Sequence, residues 1–304
     1  MLRAVLSDIR GRKKHMEELL SLSIISSSDA PADSLRAVFP VKGSVGEYTD
    51  IEVYLGNESI FRGIVDEQTE EKGEKGHFLE LRARTMEAVL LDNEARPETL
   101  CLADGDLIFE RHFRDLGFKG IRGGGTPCGG ELVISKGMSE WDVLEEFCNK
   151  FSGTRPVIHN DGIIDISGKD NSALIMLSPD RIGYVKKCLR RSRVISEIFA
   201  RTYNAGGYEM RLTGELAEKK RIRRRRFVNA SETKRRSAGA VRELIGRSEK
   251  SYESRIIGYR ELVPCRPGDK VRIRGESKDL RVKEVHLSVD AKGSGTRIYG
   301  EVEN

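Results

Sequence analysis

The chain has 304 residues, of which 38% are hydrophobic and 33% charged, with a formal net charge of +5. That length admits two or three domains with sizeable cores. No apolar run approaches the ~18 residues a helix needs to cross a bilayer, and the modest charge permits a nucleic-acid partner without requiring one.

Residues 1–15 hold only short apolar runs, then charges, and no small-residue cleavage site. No secretion signal or membrane anchor is expected, and the protein is expected to be made and assembled in the cytoplasm. Leu2–Leu6 is predicted as a short strand. Leu20, Leu22 and Ile24 alternate with Ser21 and Ser23 before the polar break at 26–29, which predicts a half-buried strand. Residues 17–20 before it suit a helical turn equally well.

The clearest pattern lies at 50–66. Ile51, Val53 and Leu55 point one way and Glu52 and Tyr54 the other, Gly56-Asn57 supplies a turn, and Ile60–Val65 returns as a second strand. A charged loop at 70–76 then leads into a third strand at 77–83. An antiparallel meander of this kind builds sandwiches or barrels.

The middle of the chain reads differently. Leu107, Ile108, Phe109, Phe113 and Leu116 form a broad helical face, with Gly117 as its C-cap. The Gly-rich stretch 123–130 is predicted as a flexible loop. Its glycines follow a helix, no Lys-Ser/Thr comes after them, and Pro127 lacks an amide donor, so a phosphate cradle is not expected. A second helix opens at Ser139, with Asp142 closing a capping box and Trp141, Val143, Leu144, Phe147 and Phe151 on its apolar face. Residues 162–168 read as a strand, so 93–170 is expected to be a small α/β domain.

The last third returns to β structure. Residues 194–203 are strand-like. Residues 231–250 are predicted helical, with Ala238, Val241, Leu244 and Ile245 as the buried stripe. Three more alternating strands follow at 268–275, 279–288 and 296–302. Their order and loop type repeat those of 50–83, which points to a duplicated β module. The expected fold class is α+β, mainly β. Two antiparallel barrel or sandwich domains, 1–92 and 171–304, are expected to flank the α/β segment.

Chemistry is hard to find. Cys101, Cys128, Cys148, Cys188 and Cys265 are unclustered, and His15, His77, His112, His159 and His286 share no ligand spacing. Neither a metal, a cofactor nor a catalytic centre is expected, and the protein is not expected to be an enzyme. The one conspicuous feature is the basic run Lys219, Lys220, Arg221, Arg223, Arg224, Arg225 and Arg226. It suits a protein interface, a channel lining or a solvated surface strand or loop. The alternative is a nucleic-acid-binding module, against which only Phe227 stands nearby to stack a base.

Taken together, residues 51–66, 92–99 leading into 108–112, 136–142 and 266–271 resemble the baseplate hub proteins of contractile phage tails and tailocins. This is the late control protein D-like family, in its Gram-positive phage and prophage form. The resemblance covers nearly the whole chain on soft structural motifs and carries over no active-site residue. It implies a pair of tail-tube-like β domains in one chain. Three copies would form a pseudo-sixfold ring between a sixfold tube and a threefold spike. It implies as partners the chain itself as a homotrimer, the tube or tube-initiator protein, the central spike, and also tape-measure and baseplate adaptor or wedge proteins. Nucleic acid is expected only as DNA passing through the channel. The expected location is the tail baseplate of a virion or tailocin, assembled in the bacterial host.

Overall fold

Alternating apolar residues build most of this chain, which is mainly β with large antiparallel sheets. The computed structural model describes residues 2–74, 76–124, 130–152, 155–159, 161–168, 172–201, 207–229 and 238–303. It divides into two units. The first comprises Met1–Asn171, Tyr259–Pro267 and Glu284–Arg297; the second comprises Ser172–Gly258, Gly268–Lys283 and Ile298–Asn304.

The first unit opens with β1 (Leu2–Asp8), β2 (Lys13–Met16), β3 (Ser21–Ser27), β4 (Ser34–Pro40), β5 (Tyr48–Leu55), β6 (Glu58–Gly73) and β7 (Gly76–Thr85). They stand in the order β3-β4-β7-β6-β5-β1-β2, every neighbouring pair antiparallel. Leu22, Ile24, Leu35, Ala37, Phe39, Ile51, Val53, Phe61, Leu79 and Leu81 are buried. Their spacing of two puts them on one face of each strand, and this burial drives the unit's folding. Residues 17–20 form no helical turn.

The charged stretch predicted as a loop at 70–76 is mostly strand. Beyond a register shift between Val65 and Glu67, β6 stays paired with β7 as far as Gly73 opposite Gly76. Ladder hydrogen bonds hold this ribbon where both faces are wet, so apolar alternation is not needed to form it.

Next come α1 (Glu87–Asp92), β8 (Glu98–Cys101), α2 (Gly105–Ile108), β9 (Gly120–Arg122), β10 (Glu131–Ile134), α3 (Glu140–Phe147), β11 (Val157–Ile158) and β12 (Ile163–Asp165). They surround one apolar cluster that includes Leu90, Ile108, Phe113, Leu132, Trp141, Leu144, Phe147 and Ile164. The helix expected over 106–116 is a single α turn that widens to a π turn at Phe109–Phe113 and tightens to 3-10 at Arg114–Leu116. Widening the turn lets Phe109, His112 and Phe113 all be buried. Gly117 ends it at φ +89°. The capping box of α3 is present: the Asp142 N–H donates to Ser139 Oγ at 3.1 Å, and the Ser139 N–H donates to Asp142 Oδ2 at 2.8 Å. Gly123 and Gly124, expected in a flexible loop, are closely packed. A Cβ on Gly123 would lie 2.6 Å from the Ser167 backbone and one on Gly124 2.8 Å from Ile166. Residues 125–129 of that loop lie outside the described residues.

The second unit holds β13 (Leu174–Leu177), β14 (Ile182–Leu189), β15 (Glu197–Arg201), β16 (Met210–Thr213), α4 (Glu215–Lys219), β17 (Arg225–Asn229), α5 (Ala238–Lys250), β18 (Glu253–Tyr259) and β19 (Lys270–Ile273). The strands β20 (Leu280–Asp290) and β21 (Gly293–Val302) each contribute residues to both units, and β18 gives its last residue, Tyr259, to the first. In the first, β20 pairs antiparallel with β3, Leu287 opposite Ile24. In the second, β20 pairs antiparallel with β19, and β19 pairs parallel with β13. The expected strand over 194–203 begins only at Glu197, and residues 202–203 lie outside the described residues, as do 231–237 of the expected helix. No closed barrel is found among the described residues.

Candidate interaction surface

The basic run does not form one surface element. Lys219 is the last residue of α4 and pairs with Glu215 at 3.7 Å, both highly exposed. The chain then reverses. Ile222 N–H donates to Ala217 O at 2.8 Å, Arg221 N–H donates to Glu218 O at 3.0 Å, and Arg221 takes the left-handed φ of +53°. Lys220 Nζ lies 5.9 Å from the centre of the Tyr252 ring. Arg224 is tied down through its backbone: its N–H donates to Ser196 Oγ at 2.8 Å, and its carbonyl accepts from the Ser196 N–H at 2.9 Å. Arg225 and Arg226 open β17.

That strand runs parallel to β15, with Arg225 level with Glu197 and Phe227 level with Phe199. On the other side β16 runs antiparallel to β15, with Arg211 level with Phe199. One face of the resulting sheet packs Ile198 and Ala200 against Val241 and Ile245 of α5. The alternation of side chains therefore turns Glu197, Phe199, Arg211, Arg225 and Phe227 outward together. Glu197 accepts from Arg225 at 2.8 Å and from Arg211 at 3.2 Å. These two arginines, Arg225 first, hold its carboxyl below the usual carboxylate range. Both guanidiniums also sit over Phe199, 5.3 and 5.7 Å from the ring centre. Among the described residues Arg221, Arg223, Arg224 and Arg226 have no carboxylate partner.

Sequence reasoning placed one aromatic beside the basic run. The fold gathers three, Phe199, Tyr208 and Phe227, because a parallel pairing joins strands 28 residues apart. A second concentration of positive charge was also missed. Arg10, Arg12, Lys13 and Lys14 line a hollow of about 420 Å³ at the β1–β2 turn, where Arg12 pairs with Asp8 at 2.6 Å.

Among the described residues buried polar groups are few. His112, wholly buried, sits between two carboxylates, with Nδ1 2.9 Å from Glu140 Oε2 and Nε2 3.4 Å from Glu98 Oε1. Glu98 also accepts from Arg111 at 2.6 Å. This chain of contacts ties α3, β8 and the π turn together and presents no nucleophile. No group of three or more metal-ligating side chains converges among the described residues, and none of their helices is long and apolar enough to cross a membrane.

No family model and no curated protein matches the sequence. Solved structures do match. A tail protein from Neisseria meningitidis MC58 superposes with a TM-score of 0.73 over 99% of this chain and 96% of its own, at 16% identity. This chain has its fold. The 43 kDa tail protein of prophage MuSo2 from Shewanella oneidensis gives the same TM-score at 14% identity, over 98% of this chain and 97% of its own. An Escherichia coli type VI secretion component, described as structurally similar to the bacteriophage T4 tail proteins gp27 and gp5, covers 94% of this chain and 74% of its own. Its TM-score is 0.57 at 9% identity. At such identities the backbone is kept while most surface side chains are replaced, so the likeness carries the fold and not the basic run.

Proposed function

We propose that the chain is a baseplate hub subunit of a contractile tail or a related injection machine, acting as a structural part and catalysing no reaction. The observation that carries this reading is the end-to-end likeness to the Neisseria tail protein, over 99% of one chain and 96% of the other. A shared isolated module would leave one partner largely uncovered.

In this reading two tube-like modules, residues 1–92 and 171–304, flank the α/β segment 93–170. The consecutive strands β5-β6-β7 in one and β19-β20-β21 in the other are the repeated part. Three copies then supply six similar modules. Such a closed ring docks a sixfold tube or its initiator on one side and a threefold spike on the other. Tape-measure and adaptor or wedge proteins are the further neighbours, DNA passes through the channel, and the particle is assembled in the host cell. Exposed apolar side chains on β13 and β14 support association between copies: Leu174, Met176, Val185 and Leu189 are each 43–50% exposed.

Sedimentation equilibrium of the purified chain, alone and with its spike protein, tests this. A trimer is expected in at least one condition. Strictly monomeric behaviour in both would remove the ring and the reading with it.

A further inference from the structure

The outward face of β16-β15-β17 is unusual for a solvent-facing sheet. Phe227 is 56% exposed and Tyr208 39%, although burying a phenylalanine side chain stabilises a protein by about 1.5–3 kcal/mol. The rings are held in a fixed arrangement. Phe199 and Phe227 stack at 5.4 Å with 24° between their planes, and Tyr208 meets Phe227 nearly perpendicular at 5.2 Å. The Tyr208 hydroxyl donates to Asn229 Oδ1 at 2.9 Å, which fixes that ring in turn.

This arrangement favours one of two kinds of partner. To stack a nucleic-acid base, an aromatic ring must offer a free face. Here Phe199 and Phe227 turn faces to each other, and Arg211 and Arg225 lie over Phe199. Around the rings the charge is positive, because two arginines share the single carboxylate of Glu197. A guanidinium fork takes a carboxylate in two parallel hydrogen bonds, and rigid Tyr, Phe and Arg clusters are what protein interfaces use as anchors.

We propose that this face docks an acidic, extended segment of a protein partner. Its apolar side chains seat against Phe227 and Tyr208, and its carboxylates sit on Arg211 and Arg225. The proposal is independent of whether the chain forms a trimer.

Fluorescence anisotropy on the full chain tests it, using three labelled probes. They are a peptide alternating glutamate with leucine, the same peptide with lysine for glutamate, and an oligodeoxythymidine of matched charge. The glutamate peptide should bind and the lysine peptide should not. Phe227→Ser should weaken glutamate-peptide binding about tenfold, Tyr208→Ser should weaken it less, and both should leave oligodeoxythymidine binding within about twofold. Both side chains are already exposed, so circular dichroism and thermal unfolding should match the parent. Three results would each overturn the proposal. The glutamate peptide does not bind, or binds the Phe227→Ser chain unchanged. The oligodeoxythymidine is the probe lost with Phe227. Phe227→Ser abolishes a concentration-dependent self-association of the parent, which would make the occupant a second copy.

Discussion

Glu87 shows how much a single carboxyl can tell about this fold. It opens α1 half-buried, and its pKa is raised from 4.5 to about 7. Burial is the main cause and the charge of Asp33 adds to it, while a hydrogen bond from Thr85 and the charge of Arg266 oppose. Asp33 is raised as well, again chiefly by burial, against a hydrogen bond from Ser26 and the charge of Arg266. A carboxyl that ionises near 7 in the fold and near 4.5 in the unfolded chain favours the fold most below 4.5. It loses that contribution as the pH climbs to 7 and beyond. At most about 3 kcal/mol is involved, from the size of the shift. Glu87→Gln removes the titration. Urea unfolding should therefore find the variant gaining on the parent from pH 5 to pH 8. A difference in midpoint that stays flat across that range would show that Glu87 is not charged at a cost.

The capping box of α3 was legible in the sequence for a physical reason: it is a contact over three residues, and Ser139 and Asp142 satisfy each other's backbone N–H groups with no help from the rest of the fold. Ser139→Ala should cost about 1 kcal/mol in chemical denaturation, and Ser139→Asp, which keeps an acceptor, should cost much less. Equal losses in the two variants would assign the effect to packing and not to the cap. The same locality made Ile51 and Val53 readable, since a half-buried strand writes its own alternation. Where a strand is wet on both sides, that signal disappears. In β14 no residue is buried, and the end of β6 carries charges on both faces, so neither strand writes an apolar alternation into the sequence. Distance along the chain hides the rest. The basic run could be seen as seven cations in order, yet what lies beside it depends on the parallel register of Phe227 with Phe199, which no local pattern encodes. The split helix at 105–116 failed for a third reason: its apolar residues suit a 3.6-residue turn, and the demand to bury His112 between two carboxylates widened it.

For the assembled molecule, the most informative strand is the one the sequence hid. β14 stands at the end of its sheet among the described residues, paired with β18 on one side. Natural proteins blunt such edges with charge, proline or a covering element, because an open ladder of backbone groups invites another chain to pair. Lys186 and Lys187 supply some charge, with Lys187 held by Glu253 at 3.3 Å, but Tyr184, Val185 and Leu189 stay exposed beside them. An edge this long and this apolar is costly for a lone monomer and useful for a subunit whose neighbour covers it. Val185→Glu separates these cases. Val185 is already 43% exposed, so the monomer should unfold at the parent's temperature, while in the proposed trimer the dissociation constant measured by sedimentation should rise at least about tenfold. If the variant assembles as tightly as the parent, β14 lies outside the contact between copies and another surface must close the ring. If it unfolds early, the edge is packed within its own chain and the exposed apolar side chains lose their meaning as an interface.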